Sequence, residues 1–88
     1  MIETIQSLLP HQLVIMRRLR SGPLTEFELA QTIVERTNFS AEQAAEYMSD
    51  WLEALRLEGL IWSGQLTNID GQRLLAAALT RHGRELVG

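Results

Sequence analysis

Cysteine and histidine, which often serve as nucleophiles, general bases or metal ligands, are absent or few in this sequence. There is no cysteine, which excludes disulfides, thiolate zinc sites and thiol nucleophiles. The two histidines, His11 and His82, lie in different predicted elements, and no carboxylate cluster accompanies them. Ser40, Asp70 and His82 do not have a spacing that suggests a triad. We therefore expect no catalysis, no metal site and no bound cofactor.

Arginine supplies every basic side chain, and six of the eight basic residues fall into two groups along the chain. Guanidinium groups that neutralise phosphates supply much of the affinity of proteins for DNA, so both groups are candidate contacts to a nucleic-acid backbone. A structural explanation stays open, because cations are favoured in the last turn of a helix whatever the function. The candidate backbone contacts are Arg17, Arg18, Arg20, Arg73, Arg81 and Arg84.

The charges are distributed unevenly around a net charge of -3. Residues 24–59 contain eight carboxylates and two arginines, a net charge of -6, whereas residues 1–23 carry +2 and residues 60–88 carry +1. Any nucleic-acid ligand must therefore approach a chain whose middle repels phosphate.

Length and composition indicate one globular domain over residues 1–88. The chain is 45% hydrophobic and 22% charged, which is ordinary for a folded protein. No apolar stretch approaches the roughly 18 residues that a membrane span needs, and Met1–Gln6 lacks the positively charged start of a signal peptide. We expect a cytoplasmic protein without a membrane partner.

Three helices are predicted, and the second and third begin at capping boxes. In each box a hydroxyl residue is followed three positions later by Glu or Gln: Thr25 with Glu28, and Ser40 with Gln43. Pro10 suits the first turn of the first helix. The predicted helices are Pro10–Arg20, Glu26–Arg36 and Ala41–Leu57.

The third predicted helix has an apolar stripe on one side and carboxylates on the other. At about 100° per residue, Glu42, Glu46 and Glu53 fall within roughly 40° of one another, and Asp50 lies within about 80°. This arc is nearly opposite the stripe, so the stripe should be buried and the carboxylates exposed. The stripe consists of Ala41, Ala44, Ala45, Met48, Trp51, Leu52 and Leu55.

The sequence after Gly59 allows two interpretations. A strand is predicted over Leu60–Gly64, followed by polar turn formers over Gln65–Gly71. The leucines and alanines of Gln72–Leu79 favour a helix by propensity alone. A return strand there would instead give the first strand the partner that its backbone groups need. Thr80 could cap a short final helix that runs to Val87.

Two stretches resemble the winged helix-turn-helix superfamily, in particular MarR-like and PadR-like bacterial regulators. The first is PHQLVIMRRLRSGPLTEFELA, over residues 10–30. The second combines the pattern L-x-x-E-G-L-I, over residues 55–61, with L-T-x-x-G-R-E-L, over residues 79–86. The resemblance implies a mainly α fold with a small β-hairpin. A three-helix core (10–58) would carry a wing hairpin (60–79) and a short C-terminal helix (80–87), after an N-terminal arm or extra helix (1–9).

In such families the third helix enters the major groove of DNA and the wing contacts the backbone or the minor groove. Carried over to this chain, the resemblance leaves Arg73 as the only basic wing residue. The recognition surface would be acidic, which opposes phosphate binding. Its residues would be Glu42, Gln43, Glu46, Tyr47, Ser49, Asp50 and Glu53.

Two functional hypotheses follow. The first is a dimeric regulator of transcription that binds double-stranded DNA, with backbone contacts from the arginines. The second is a protein-interaction module that docks a basic protein surface on the acidic third helix and binds no DNA. Ile2–Leu9 could either cap the core or pair with its copy in a homodimer, and we expect the homodimer.

Overall fold

A helix, a short strand, two further helices, a hairpin and a final helix follow one another along residues 8–88, the part of the chain that the computed structural model describes. The predicted class, mainly α with a small hairpin, is confirmed. No helix in this part of the chain is both long and apolar enough to cross a membrane. The helices are α1 (Pro10–Arg18, continued by a 3-10 turn over Leu19–Ser21), α2 (Glu26–Arg36), α3 (Ala41–Leu57) and α4 (Arg81–Val87), and the strands are β1 (Leu24–Thr25), β2 (Ile61–Thr67) and β3 (Arg73–Leu79).

The bounds of α2 and α3 are those predicted, whereas α1 passes into the 3-10 turn before the predicted helix end at Arg20. Residues 1–7, most of the predicted N-terminal arm, lie outside the described residues. The proposed pairing of Ile2–Leu9 with a second copy therefore stays a prediction.

Both predicted capping boxes are formed. The Thr25 hydroxyl accepts a hydrogen bond from the Glu28 N–H at 3.3 Å, and the Glu28 carboxylate accepts from the Thr25 N–H at 2.9 Å. Ser40 and Gln43 repeat the arrangement at 3.1 and 2.9 Å. Each cap contributes about 1 kcal/mol. The caps fix the first turns of α2 and α3 and thereby determine which residues of each helix face the core.

The core lies between α3, α1, α2 and the inner face of the sheet. The buried part of α3 is narrower than the predicted stripe, because Ala41 and Ala45 are exposed and Trp51 is half-buried. Ala45 lies at the edge of the buried arc, and Ala41 borders an open depression beside Ala30 and Val34 that its short side chain does not fill. The buried residues of α3 are Ala44, Met48, Leu52 and Leu55.

The sheet has the strand order β1-β3-β2, and all its pairings are antiparallel. The β2–β3 hairpin runs in register from Ile61 opposite Leu79 to Thr67 opposite Arg73. The strand β2 is longer than predicted, because the turn occupies 68–72 rather than 65–71. In this turn the Asn68 side chain accepts a hydrogen bond from the Gln72 N–H at 2.9 Å.

The Leu-Ala run forms β3 against its helical propensity. Its backbone groups pair with β2 on one side and β1 on the other, with Leu24 opposite Ala77. Beyond the end of β1, the Leu75 N–H donates to the Glu26 carboxylate at 2.6 Å. Tertiary hydrogen bonds therefore outweigh a local preference of a few tenths of a kcal/mol per residue.

A tight junction joins α3, β2 and α4. The Leu60 N–H donates to the Leu55 carbonyl, and Gly59 adopts a φ of 74° that ends α3. Thr80 donates its hydroxyl to the Gly59 carbonyl at 2.7 Å and its N–H to the Leu60 carbonyl at 3.1 Å. The Thr80 hydroxyl also accepts from the Gly83 N–H at 3.0 Å, which caps α4.

Four rings join the start of α1 to the α2–α3 turn and to α3. Trp51 lies in the centre, with ring centroids 4.4 Å from His11, 4.9 Å from Phe39 and 5.7 Å from Tyr47. Burial lowers the pKa of His11. Its Nε2 is buried and has no hydrogen-bond partner among the described residues. His11 therefore acts here as a neutral packing residue between Phe39 and Trp51 of α3.

The junction predicts that Gly83→Ala destabilises the protein. A methyl group at Gly83 would overlap with the backbone of Leu60. Overpacking of this kind costs about 2 kcal/mol of the free energy of unfolding, measured by urea titration with tryptophan fluorescence. Gly88→Ala is the control, because a Cβ there makes only ordinary contacts, 3.6 Å from the Arg84 and Glu85 carbonyls. Equal stability of the two variants would contradict this packing.

The ring cluster predicts a loss of stability on acidification. The folded pKa of His11 is lowered from 6.5, so the unfolded chain binds a proton more readily. The contribution of His11 is complete above pH 6.5 and is lost as the pH falls through the folded pKa. We expect His11→Phe to reduce the drop in the urea midpoint between pH 7.5 and about 5.5. His82→Phe, at an exposed position, should leave the drop unchanged; an equal effect of both variants would contradict the prediction.

Candidate nucleic-acid interface

The residues predicted to face DNA lie on one exposed side of α3, which we call the α3 outer face. Each is exposed to solvent, and none is covered by another described element. The amide of Gln43 is occupied by the helix cap, and Tyr47, 38% exposed, packs its ring against Trp51. The α3 outer face consists of Glu42, Gln43, Glu46, Tyr47, Ser49, Asp50 and Glu53.

One of the four carboxylates on the α3 outer face is neutralised. Glu53 forms a bidentate ion pair with Arg56, with nitrogen-to-oxygen distances of 2.6 and 2.9 Å. The hydrogen bond from Arg56 lowers the pKa of Glu53. Within residues 8–88, Glu42, Glu46 and Asp50 form no ion pair. The surface therefore presents three unpaired negative charges and repels phosphate.

An apolar side chain lies on the same side of α3, beyond these charges and toward the carboxyl end of the helix. Leu57, in the last turn of α3, is 70% exposed. At about 100° per residue it falls between Glu46 and Asp50 around the helix. The α3 outer face thus continues into an apolar contact point that sequence periodicity did not single out.

The structure brings together the arginines near the end of α1 and adds one that the sequence did not suggest. Arg17, Arg18 and Arg20 line a cleft with Arg36, from the last turn of α2. The sequence gives no local signal for Arg36, because its place beside α1 depends on how the two helices pack.

The other three predicted arginines do not form one patch. Arg73 begins β3, whereas Arg81 and Arg84 lie on α4 beyond the other end of that strand. The seven residues of β3 span about 20 Å, which separates the two sites. Arg81 is also 3.6 Å from the Glu85 carboxylate.

The hairpin itself is more apolar than a phosphate-binding element needs to be. Ile69 at the tip is fully exposed, and Asp70 beside it is acidic. The alternate residues of both strands that face away from the core are all uncharged and apolar, and we call them the outer sheet face. They are Trp62, Gly64 and Leu66 of β2 and Leu74, Ala76 and Ala78 of β3.

Comparison with known proteins finds similarity in solved structures alone. No family model matches the sequence, and no curated protein matches it. A protein of Thermoplasma acidophilum, described as a transcriptional regulator, superposes on this chain with a TM-score of 0.70 at 23% identity. The superposition covers 88% of this chain and 70% of that one. A PadR family transcription regulator of Clostridium difficile superposes with a TM-score of 0.68 at 21% identity, over 88% of this chain and 78% of that one.

Each superposition covers 88% of this chain, and at such low identity the two establish the fold alone. This fold agrees with the order of elements that the resemblance implied. The chain therefore has the winged helix-turn-helix fold, with α2 and α3 as the helix-turn-helix and the β2–β3 hairpin as the wing.

Proposed function

We propose that this chain is a DNA-binding regulator of transcription that acts as a homodimer on double-stranded DNA. The observation that carries the proposal is the α3 outer face: one side of the helix that the fold uses for recognition is exposed along its length. The fold shared with two proteins described as transcriptional regulators supports the same function.

Phosphate contacts must come from beside α3, because Arg56 is the one cation of that helix and is paired with Glu53. The proposed backbone contacts are Arg17, Arg18 and Arg20 near the end of α1, with Arg73 on the wing and Arg81 and Arg84 on α4. With few contacts, the affinity for random duplex should be modest. It should also fall with salt at a slope of about -0.9 per phosphate contact.

A second function has its own support. The three unpaired carboxylates of the α3 outer face share one side of the helix with the exposed Leu57, which lies about 10 Å beyond Asp50 along the axis. A charged surface that ends in an apolar anchor is compatible with protein docking. The alternative is therefore a protein-interaction module whose α3 outer face receives a basic protein surface.

The effect of reversing one charge on α3 distinguishes between the two proposed functions. We expect Glu46→Arg to strengthen binding to a random fluorescent duplex about fivefold at 50 mM salt, because removing a repulsive surface charge and adding an attractive one changes the binding free energy by about 1 kcal/mol. Fluorescence anisotropy measures the change.

Glu35→Arg is the matched control, since it makes the same change of charge on an exposed residue of α2. Equal strengthening by both variants would mean that net charge, and not α3, meets the duplex. No binding by the natural chain at 50 mM salt would remove the DNA proposal. If α3 instead docks a basic protein, Glu46→Arg should abolish capture of that protein while Glu35→Arg retains it.

The outer sheet face supports the homodimer. Trp62 and Leu66 protrude and are 69% and 54% exposed, whereas Gly64, Ala76 and Ala78 form the floor of a shallow trough between them. A twofold interface needs projections and recesses on the same patch. The patch also carries no charge, so two chains of net charge -3 can meet there without close repulsion.

We expect Leu66→Asp to raise the dimer dissociation constant by about tenfold or more, measured by sedimentation equilibrium. The new carboxylate would be buried against an apolar surface. Thr67→Asp introduces the same charge one residue further along β2, on the opposite face of the strand, and should change the constant little. A monomeric natural chain would overturn the homodimer; a dimer insensitive to Leu66→Asp would exclude this face.

A further inference from the structure

A cleft between α1 and α2 has a strongly basic lining. It has a volume of about 430 Å³, and four arginines line it together with two hydroxyl residues. No carboxylate lines it, although the chain as a whole is acidic. The lining residues that matter are Arg17, Arg18, Arg20, Ser21, Thr32 and Arg36.

Two helix ends bring these side chains together. Arg17 and Arg18 end α1, Arg20 lies in the 3-10 turn, and Arg36 ends α2. Arg18 is held in place, because its guanidinium donates to the Ser21 hydroxyl at 2.8 Å. The Ser21 hydroxyl in turn donates to the Arg18 carbonyl at 3.0 Å. Part of the cleft is therefore oriented before any ligand arrives.

The carboxylates closest along the chain are occupied elsewhere. Glu28 accepts hydrogen bonds from the backbone and hydroxyl of Thr25, which lower its pKa, and the charge of Arg18 adds a smaller effect. Glu35 accepts from the Gln31 amide. The ion pairs found within residues 8–88 involve none of the four arginines of the cleft. A bound anion would relieve the repulsion among them.

The cleft also lies away from the amino end of α3. Thr32 and Arg36 occupy one flank of α2, whereas Ala30 and Val34 face a depression shared with Ala41 of α3. At about 100° per residue the two flanks are roughly 160° apart. The cleft is therefore a surface separate from the contact between α2 and the amino end of α3.

We propose that this cleft is a binding site for a multiply charged phosphate-class anion, of which a chain of two or three linked phosphates is the fitting size. The volume lies in the range of small-molecule sites and exceeds what one phosphate fills. Guanidinium groups bind phosphate oxygens bidentately, and four of them provide more donors than one monovalent anion uses. The proposal goes beyond DNA recognition by α3 and does not depend on it.

Isothermal titration of the full chain with inorganic tripolyphosphate at low salt tests the site. We expect saturable binding of one anion per chain, weakened about tenfold or more by the double variant Arg18→Gln/Arg36→Gln. The double variant Arg73→Gln/Arg84→Gln removes the same charge outside the cleft and should weaken binding less than about twofold. Circular dichroism verifies that both variants are folded.

Two outcomes overturn the proposal: no saturable binding of tripolyphosphate, or equal weakening by the two double variants. A duplex titrated into the tripolyphosphate-saturated chain then identifies the source of the phosphates. Duplex binding that is unchanged supports a free phosphorylated ligand. If the duplex instead competes with tripolyphosphate, and the variant Arg18→Gln/Arg36→Gln abolishes this competition, the result supports the same cleft with the nucleic-acid backbone as its ligand. The Glu46→Arg measurement reports on α3 separately, so either proposal can fail alone.

Discussion

Burial of one narrow side of α3 determines what the rest of the molecule can do. Met48, Leu52 and Leu55 are almost completely covered, and each contributes about 2 kcal/mol through the apolar surface it removes from water. Because these residues recur at three- and four-residue spacing, their burial fixes the rotation of the helix about its axis. That rotation places Glu42, Glu46 and Asp50 in solvent. The exposure of these carboxylates is therefore a consequence of the core.

Much of the fold could be predicted because its signals are local. Capping boxes mark the first residues of α2 and α3, and Gly59 marks the end of α3. The strand β3 could not be predicted from its own residues, since leucine and alanine favour a helix. Its conformation depends on partners that are distant in sequence, namely β1 and the Glu26 carboxylate. The exposure of Ala41 and Ala45 likewise depends on where the neighbouring helices end, which periodicity does not report.

The candidate sites were less predictable than the fold, for the same reason. The exposed positions of α3 follow from helical geometry alone. Which charges lie close together in space depends on how the elements pack. Arg36 is distant in sequence from the arginines of α1 and yet lines the same cleft. Arg73 is close in sequence to Arg81 and Arg84 and yet lies at the other end of β3. The apolar outer sheet face emerges only when the register pairs Trp62 with Ala78 and Leu66 with Leu74.

The hydrogen bond from the Leu75 N–H to Glu26 has a consequence for how the sheet can grow. A strand that continued β1 alongside β3 would first need the Leu75 N–H as a hydrogen-bond donor, and the Glu26 carboxylate already accepts from that group. The carboxylate accepts without offering a donor in return, so the ladder of backbone hydrogen bonds stops there. Among residues 61–67, no side chain blocks the free edge of β2 in a comparable way. Addition of a further strand, whether from a peptide or from an aggregating neighbour, is therefore blocked on β3 beyond β1, whereas the edge of β2 stays open to it.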